Sequence, residues 1–152
     1  MKRKIITLSL AGVAIFIMSG CSAKGPQFNG FKQPENGKSN VYIYRTSYMG
    51  AAVTPDIHQT NLETKKDIVL GSLKPNGYIV TTITPGMYKF WAKTEAENEV
   101  KLEANPNKTY CIEHYISMGF IVGHPQFKIV DMQKCEKEIK KTKLSIADKN
   151  TK

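Results

Sequence analysis

The chain has 152 residues, of which 41% are hydrophobic and 23% charged, and it carries seven Tyr, six Phe and one Trp. That is one small domain with appendages: too short for two domains, too apolar for wholesale disorder, and rich enough in aromatics to build a core. The formal net charge is +9; no stretch of about 20 apolar residues occurs, so no membrane-spanning helix is expected.

The first residues read as an address. Lys2, Arg3 and Lys4 precede the mostly apolar residues 5–18, and Met18-Ser19-Gly20-Cys21 follows. A basic head, a short apolar stretch and small residues before a cut form a secretory signal. The cysteine directly after Ser19 and Gly20 resembles the bacterial lipoprotein box, with Met18 where Leu is commonest. The resemblance implies cleavage before Cys21, a thioether lipid on Cys21 and acylation of the new amino terminus. The alternatives are an ordinary signal peptide with an incidental cysteine, or a signal anchor. Each buried CH₂ contributes about 0.8 kcal/mol, so several acyl chains hold a protein at a bilayer almost permanently. The expected location is therefore the bacterial cell envelope. Ser22, rather than Asp, after the lipidated cysteine is compatible with the periplasmic face of an outer membrane.

Without residues 1–20 the chain has 19 basic and 13 acidic residues, net +6. The excess lies at the ends: residues 22–39 are net +2, residues 40–133 net zero, and residues 134–152 net +4. A neutral body argues against nucleic acid, which needs a basic face on the folded module. The lysine-rich tail reads as a solvated terminal helix, or as a weak, salt-sensitive attraction to an anionic surface.

Residues 21–39 read as the lipidated cysteine and a flexible tether, rich in Gly, Pro and polar residues and spanning roughly 25 Å as a coil. Phe28 and Phe31 are odd in a spacer: they dock on the domain or enter the headgroup layer. The body, residues 40–145, opens with VYIYR at 41–45, a strong strand signal that places Val41, Ile43 and Arg45 on one face and Tyr42 and Tyr44 on the other. Residues 51–58 form a strand that Pro55 breaks or confines to an edge. Further strands are expected over 68–73, 78–84, 87–93, 99–103, 110–118 and 126–130, punctuated by Lys74-Pro75-Asn76-Gly77, Pro85-Gly86 and Asn105-Pro106-Asn107. About seven or eight short strands at near-regular spacing point to a mainly β sandwich or barrel. From Asp131 to about Leu144 the rhythm changes. Met132, Cys135 and Ile139 form a helical stripe, Asp131 is an N-cap, and Glu136 and Lys140 suit an i,i+4 pair. One terminal helix is expected, with residues 146–152 a frayed basic tail.

The VYIYR opening, the turn from Leu73 to Gly77 with Tyr78 after it, Pro85-Gly86 with Tyr88, and NKTYCIEHY at 107–115 occur in an order that resembles a bacterial small-lipoprotein family, domain of unknown function 2846. Asn107 and Cys111 stand where that family usually has Gly and a second Tyr. The resemblance covers roughly residues 40–132. It implies an antiparallel sandwich, transthyretin-like or immunoglobulin-like, on a lipid anchor, and supplies no reaction and no catalytic residues.

Once Cys21 carries lipid, two cysteines are left for an oxidising compartment. A Cys111–Cys135 bridge joins a predicted strand to the predicted helix; the alternative is two buried free thiols. Chemistry is sparse. His58, His114 and His124 have no metal-ligand spacing, and Glu113 and His114 point to opposite faces of a strand. His114 reads as a partly buried histidine with a hydrogen-bond partner. No nucleophile elbow or phosphate loop occurs, and no cofactor is expected. Glu95, Glu97, Glu99 and Glu103 read as a solvated hairpin, or as a cation or partner site. Arg45, the single arginine outside the leader, pairs with an acid or recognises a ligand carboxylate. The glycine-flanked Phe120-Ile121-Val122 fills one end of the sandwich, or is an exposed apolar loop for a partner or lipid.

Three functions fit these residues. The first is a non-catalytic binding or scaffolding module, held to the membrane through Cys21 and meeting an envelope protein or cell-wall component through Arg45, Phe120, Ile121 and Val122. The second is an envelope hydrolase or metal-dependent enzyme with a site built across strands from His114, His124 and an acid. The third is a surface adhesin subunit.

Overall fold

The computed structural model describes residues 22–146. The leader, Cys21 and the end of the basic tail lie outside the described residues. Eight main strands run in chain order: β1 (Ser39–Arg45), β2 (Asp56–Asn61), β3 (Asp67–Ser72), β4 (Gly77–Ile83), β5 (Gly86–Lys93), β6 (Glu97–Ala104), β7 (Thr109–Ser117) and β8 (His124–Val130). Helix α1 (Met132–Ile139) and a two-residue strand β9 (Lys143–Leu144) complete the described residues. Two sheets form, ordered β8-β7-β1-β4-β9 and β3-β2-β5-β6. They face each other in a sandwich-like arrangement, with β6 against β8 and β3 against β4.

The architecture follows from two-residue alternation. Val41 and Ile43 of β1 enter the space between the sheets, where they meet Ile57, Ile79, Phe90, Leu102 and Ile112. Tyr42 and Tyr44 project from the other face of the same strand into a second apolar cluster with Phe28, Cys111, Val130, Cys135 and Ile139. Both faces of β1 are therefore covered, and all seven of its residues are buried. The molecule has a third layer, α1 and the N-terminal segment, over the five-stranded sheet.

Not every pairing is antiparallel. β1 runs parallel to β7, with Tyr44 opposite Glu113, and β9 runs parallel to β4. Alternation and turn residues read each strand alone; they carry no information on which strands become neighbours. Pro55 ends a loop, and β2 starts at Asp56 as an interior strand between β3 and β5. The strand is broken as one of the two readings of Pro55 required, and it is not an edge.

Residues 22–38 are a packed strap, which corrects the expectation of a flexible tether. The Phe28 ring meets Tyr42 and Tyr78 edge-on at 5.9 and 5.5 Å, and Phe31 meets Tyr42 at 5.0 Å. The Lys32 N–H donates to the Tyr42 hydroxyl at 2.9 Å. The two phenyl rings and main-chain bonds from Ala23 to Pro75, Gly25 to Leu144 and Phe28 to Thr142 together hold the Gly- and Pro-rich segment against the body. The helix is also shorter than expected. Asp131 caps it, accepting from the Lys134 N–H at 2.8 Å, and Glu136 pairs with Lys140 at 3.0 Å. It ends near Lys140, because main-chain groups from Thr142 onward bond instead to Asn76, Tyr78 and the strap.

Candidate functional site

The two cysteines form a disulfide, Cys111–Cys135, with Cα atoms 6.1 Å apart across 24 positions. It pins α1 to β7. Around it the Tyr44 hydroxyl donates to Glu138 at 2.6 Å, and Lys134 bonds Glu113. Burial, then the Glu138 carboxylate, push the Tyr44 hydroxyl above its ordinary value. These contacts use up the thiols and fix the helix.

The histidines lie in three separate environments. His58 stacks on Trp91 with ring centroids 4.0 Å apart and bonds Asp67 through Nδ1 at 2.9 Å, on the outer face of the four-stranded sheet. His114 is buried against Phe127, and neither ring nitrogen has a hydrogen-bond partner among the described residues. That corrects the expectation of a partly buried ring with a hydrogen-bond partner. Burial, and then the nearby Arg45 charge, lower its pKa to about 3, so the ring is neutral. His124 bonds Glu95 through Nε2 at 2.9 Å. No group of three or more His, Cys, Asp or Glu among the described residues is placed to hold a metal ion.

Among the described residues, Arg45 is held by main-chain carbonyls rather than by an acid. Its side chain is fully buried at the end of β1, and it donates to four main-chain carbonyls: Ser47 at 3.2 Å, Met49 at 2.8 Å, Gly50 at 2.9 Å and Val53 at 2.7 Å. A guanidinium offers five donors in a fixed fork, and here they gather a loop that β1 leaves without strand partners. Arg45 therefore braces residues 46–55 from inside.

The apolar loop between β7 and β8 is exposed. Met118, Phe120 and Ile121 are 87%, 99% and 83% exposed, and Tyr48 and Met49 of the Arg45-braced loop are 59% and 58% exposed. Met49, Met118, Ile121 and Val122 line one shallow depression, so the two loops adjoin. This loop too has a brace. The Glu95 carboxylate accepts from the Ile121 and Val122 N–H groups as well as from His124, and the Thr94 hydroxyl donates to the Gly123 carbonyl at 2.9 Å. The flanking glycines have a steric reason: a Cβ at Gly119 would strike the Val122 carbonyl and Glu95, and one at Gly123 would strike Ile116. The site is an apolar end held open by two polar braces.

Sequence reasoning singled out Phe120, Ile121 and Val122 but not Tyr48 or Met49. It read Glu95 as part of a solvated hairpin. The signals were present: a lone arginine at a strand end, and two glycines bracketing apolar residues. What was hidden is that β7 runs parallel to β1, which brings both loops to one end.

Fold and site together define a small, sandwich-like β domain, capped by one disulfide-linked helix, whose most exposed apolar side chains among the described residues, Met118, Phe120 and Ile121, lie on a loop at one end. The profile of a family described as protein of unknown function (DUF2846) matches residues 35–125, more than half the chain, and the chain belongs to that family. It is also similar to an uncharacterised protein of Haemophilus influenzae, 26% identical over 154 residues that cover 96% of this chain and 88% of the relative.

Proposed function

We propose that the protein is a lipid-anchored module of the bacterial cell envelope that works by contact and carries out no turnover. The lipid is on Cys21, and Ser22 suits the periplasmic face of an outer membrane. The contact surface is the loop end formed by Tyr48, Met49, Met118, Phe120, Ile121 and Val122.

The observation that carries this reading is the construction of that end. Large apolar side chains that do no work outside a fold normally turn inward, and a contiguous exposed group of them marks a contact site. Here Arg45 and Glu95 secure the main chain so that the side chains stay outside. The reactive groups are meanwhile occupied with structure: both cysteines in the disulfide, Arg45 on carbonyls, His124 on Glu95. The enzyme reading needs His114 and His124 in one site. His114 pairs in register with Phe127, and His124 with Ser117, three steps further along β7 and about 10 Å away at strand rise.

Fractionation of cells carrying the full chain tests the proposal. The wild-type protein is expected with the membranes, and Cys21→Ala is expected to move it to the soluble fraction with its thermal unfolding unchanged. A wild-type protein already soluble contradicts the anchor. A hydrolytic activity lost on His124→Gln contradicts the absence of turnover.

A further inference from the structure

The topology brings the start of the described chain to the same end as the apolar loops. β1 ends at Arg45 and β7 ends at Ser117, and because the two strands are parallel their following loops leave the sandwich together. β4 begins at Gly77, opposite Arg45, so the turn before it is at this end also. Residues 22 and 23 are fastened to that turn: the Ser22 hydroxyl donates to the Pro75 carbonyl at 3.2 Å, and the Ala23 N–H to the same oxygen at 3.0 Å. Asn76 in the same turn bonds the Tyr48 hydroxyl. Cys21 therefore starts one Cα step, about 3.8 Å, from a residue fixed at the apolar end. Only β1 separates β4 from β7, so the turn and the β7–β8 loop are about 10 Å apart across the sheet. The strap is packed on the body, so no slack lies between the anchor residue and the domain.

The loop main chain is prepared for a medium poor in water. Backbone polar groups that enter hydrocarbon need partners within the protein. The Ile121 and Val122 N–H groups have Glu95, the Met49 and Gly50 carbonyls have Arg45, and the Met49 N–H has the Ser47 hydroxyl at 3.1 Å.

Resting on the lipid-anchor reading above, we infer that the apolar end seats in the bilayer that carries the lipid. Phe120, Ile121, Met118 and Met49 enter the boundary between headgroups and acyl chains, and Tyr48 lies at headgroup level, where amphipathic rings concentrate. The occupant is a phospholipid surface. The domain then stands end-on, its strands steeply inclined to the membrane.

Fluorescence quenching tests the seating. The full chain is purified from membranes as wild type and as Phe120→Trp, and each is placed in phosphatidylethanolamine–phosphatidylglycerol vesicles with or without bromine on the upper acyl chain. The natural Trp91 lies in β5, on the outer face of the four-stranded sheet, and serves as the internal control. Side chains at this boundary lie about 5–10 Å deep, so the indole introduced at 120 is expected to lose about half its emission in brominated vesicles while Trp91 is unaffected. Ile121→Trp is expected to behave alike and guards against a local fault of the first variant. An unquenched indole in both variants overturns the seating, and so does its burial in a second copy, read as an emission shift that follows protein concentration and ignores bromine. The intact mass of the same preparation judges the anchor separately. Quenching without lipid on Cys21 keeps the seating and ends the anchor reading; lipid without quenching does the reverse.

Discussion

At the scale of single residues, Glu95 and His114 both make the molecule less stable in acid, through different groups and in different pH windows. Burial raises the pKa of Glu95, but hydrogen bonds from His124, Val122 and Ile121 outweigh it and hold the carboxyl below its ordinary 4.5. A depressed carboxyl stabilises the fold above its unfolded pKa, and that contribution is lost as the pH falls through the folded value. Amide exchange at Ile121 and Val122 is therefore expected to speed up selectively below about pH 4, and Glu95→Gln is expected to show the faster exchange at neutral pH. Unchanged exchange in that variant would remove Glu95 as a brace. His114 acts in the same direction over a window that reaches to higher pH. An unfolded histidine takes up a proton near 6.5, whereas the buried ring waits until about 3, so the unfolded state binds the extra proton between these values and stability falls as pH drops through them. His114→Leu is expected to flatten the stability–pH curve across that window by a slope of about one proton. Urea midpoints at several pH values measure it; an unchanged slope contradicts a neutral buried ring. Neither role was legible in the sequence, because the groups around both positions come from segments distant along the chain.

At the scale of elements, the strands were legible and their partners were not. VYIYR announces a strand with two apolar faces, but nothing in the five letters says that one face lies under a helix and the other inside a sandwich. The strap shows the limit of composition most clearly. Its glycines and prolines describe a tether, and Phe28 and Phe31 decide the matter by packing on Tyr42. Likewise α1 stops short of its lysine-rich continuation because β4 offers residues 143–144 a strand partner. The disulfide ties this layer down. In the chain-entropy view a bridge closing such a loop stabilises by about 3 kcal/mol, the mechanism being model-dependent. Replacing both Cys111 and Cys135 with Ala is expected to lower unfolding stability by about that amount while the sandwich stays folded. In the wild type, thiol labelling without reductant is expected to miss both cysteines. Full labelling before reduction would contradict the bridge.

At the scale of the whole molecule, charge and apolar surface are segregated. The basic excess belongs to the ends of the chain and the body is neutral, while the largest exposed apolar side chains gather at one end, beside the residue that follows Cys21. The expectation of a leader ending before Cys21 comes from local motifs alone, and those residues lie outside the described ones. The position of Ser22 and Ala23 beside the apolar loops was not legible, since it follows from one parallel strand pair and one hydrogen-bonded turn. Under the proposed lipid anchor, membrane attachment and domain orientation become one feature, because Ser22 is fixed at the end where the apolar loops lie. The intact mass of the protein extracted from membranes tests that feature most directly. The account predicts a chain beginning at Cys21, lacking residues 1–20 and heavier by its acyl groups; a full-length chain with an unmodified Cys21 thiol would contradict it.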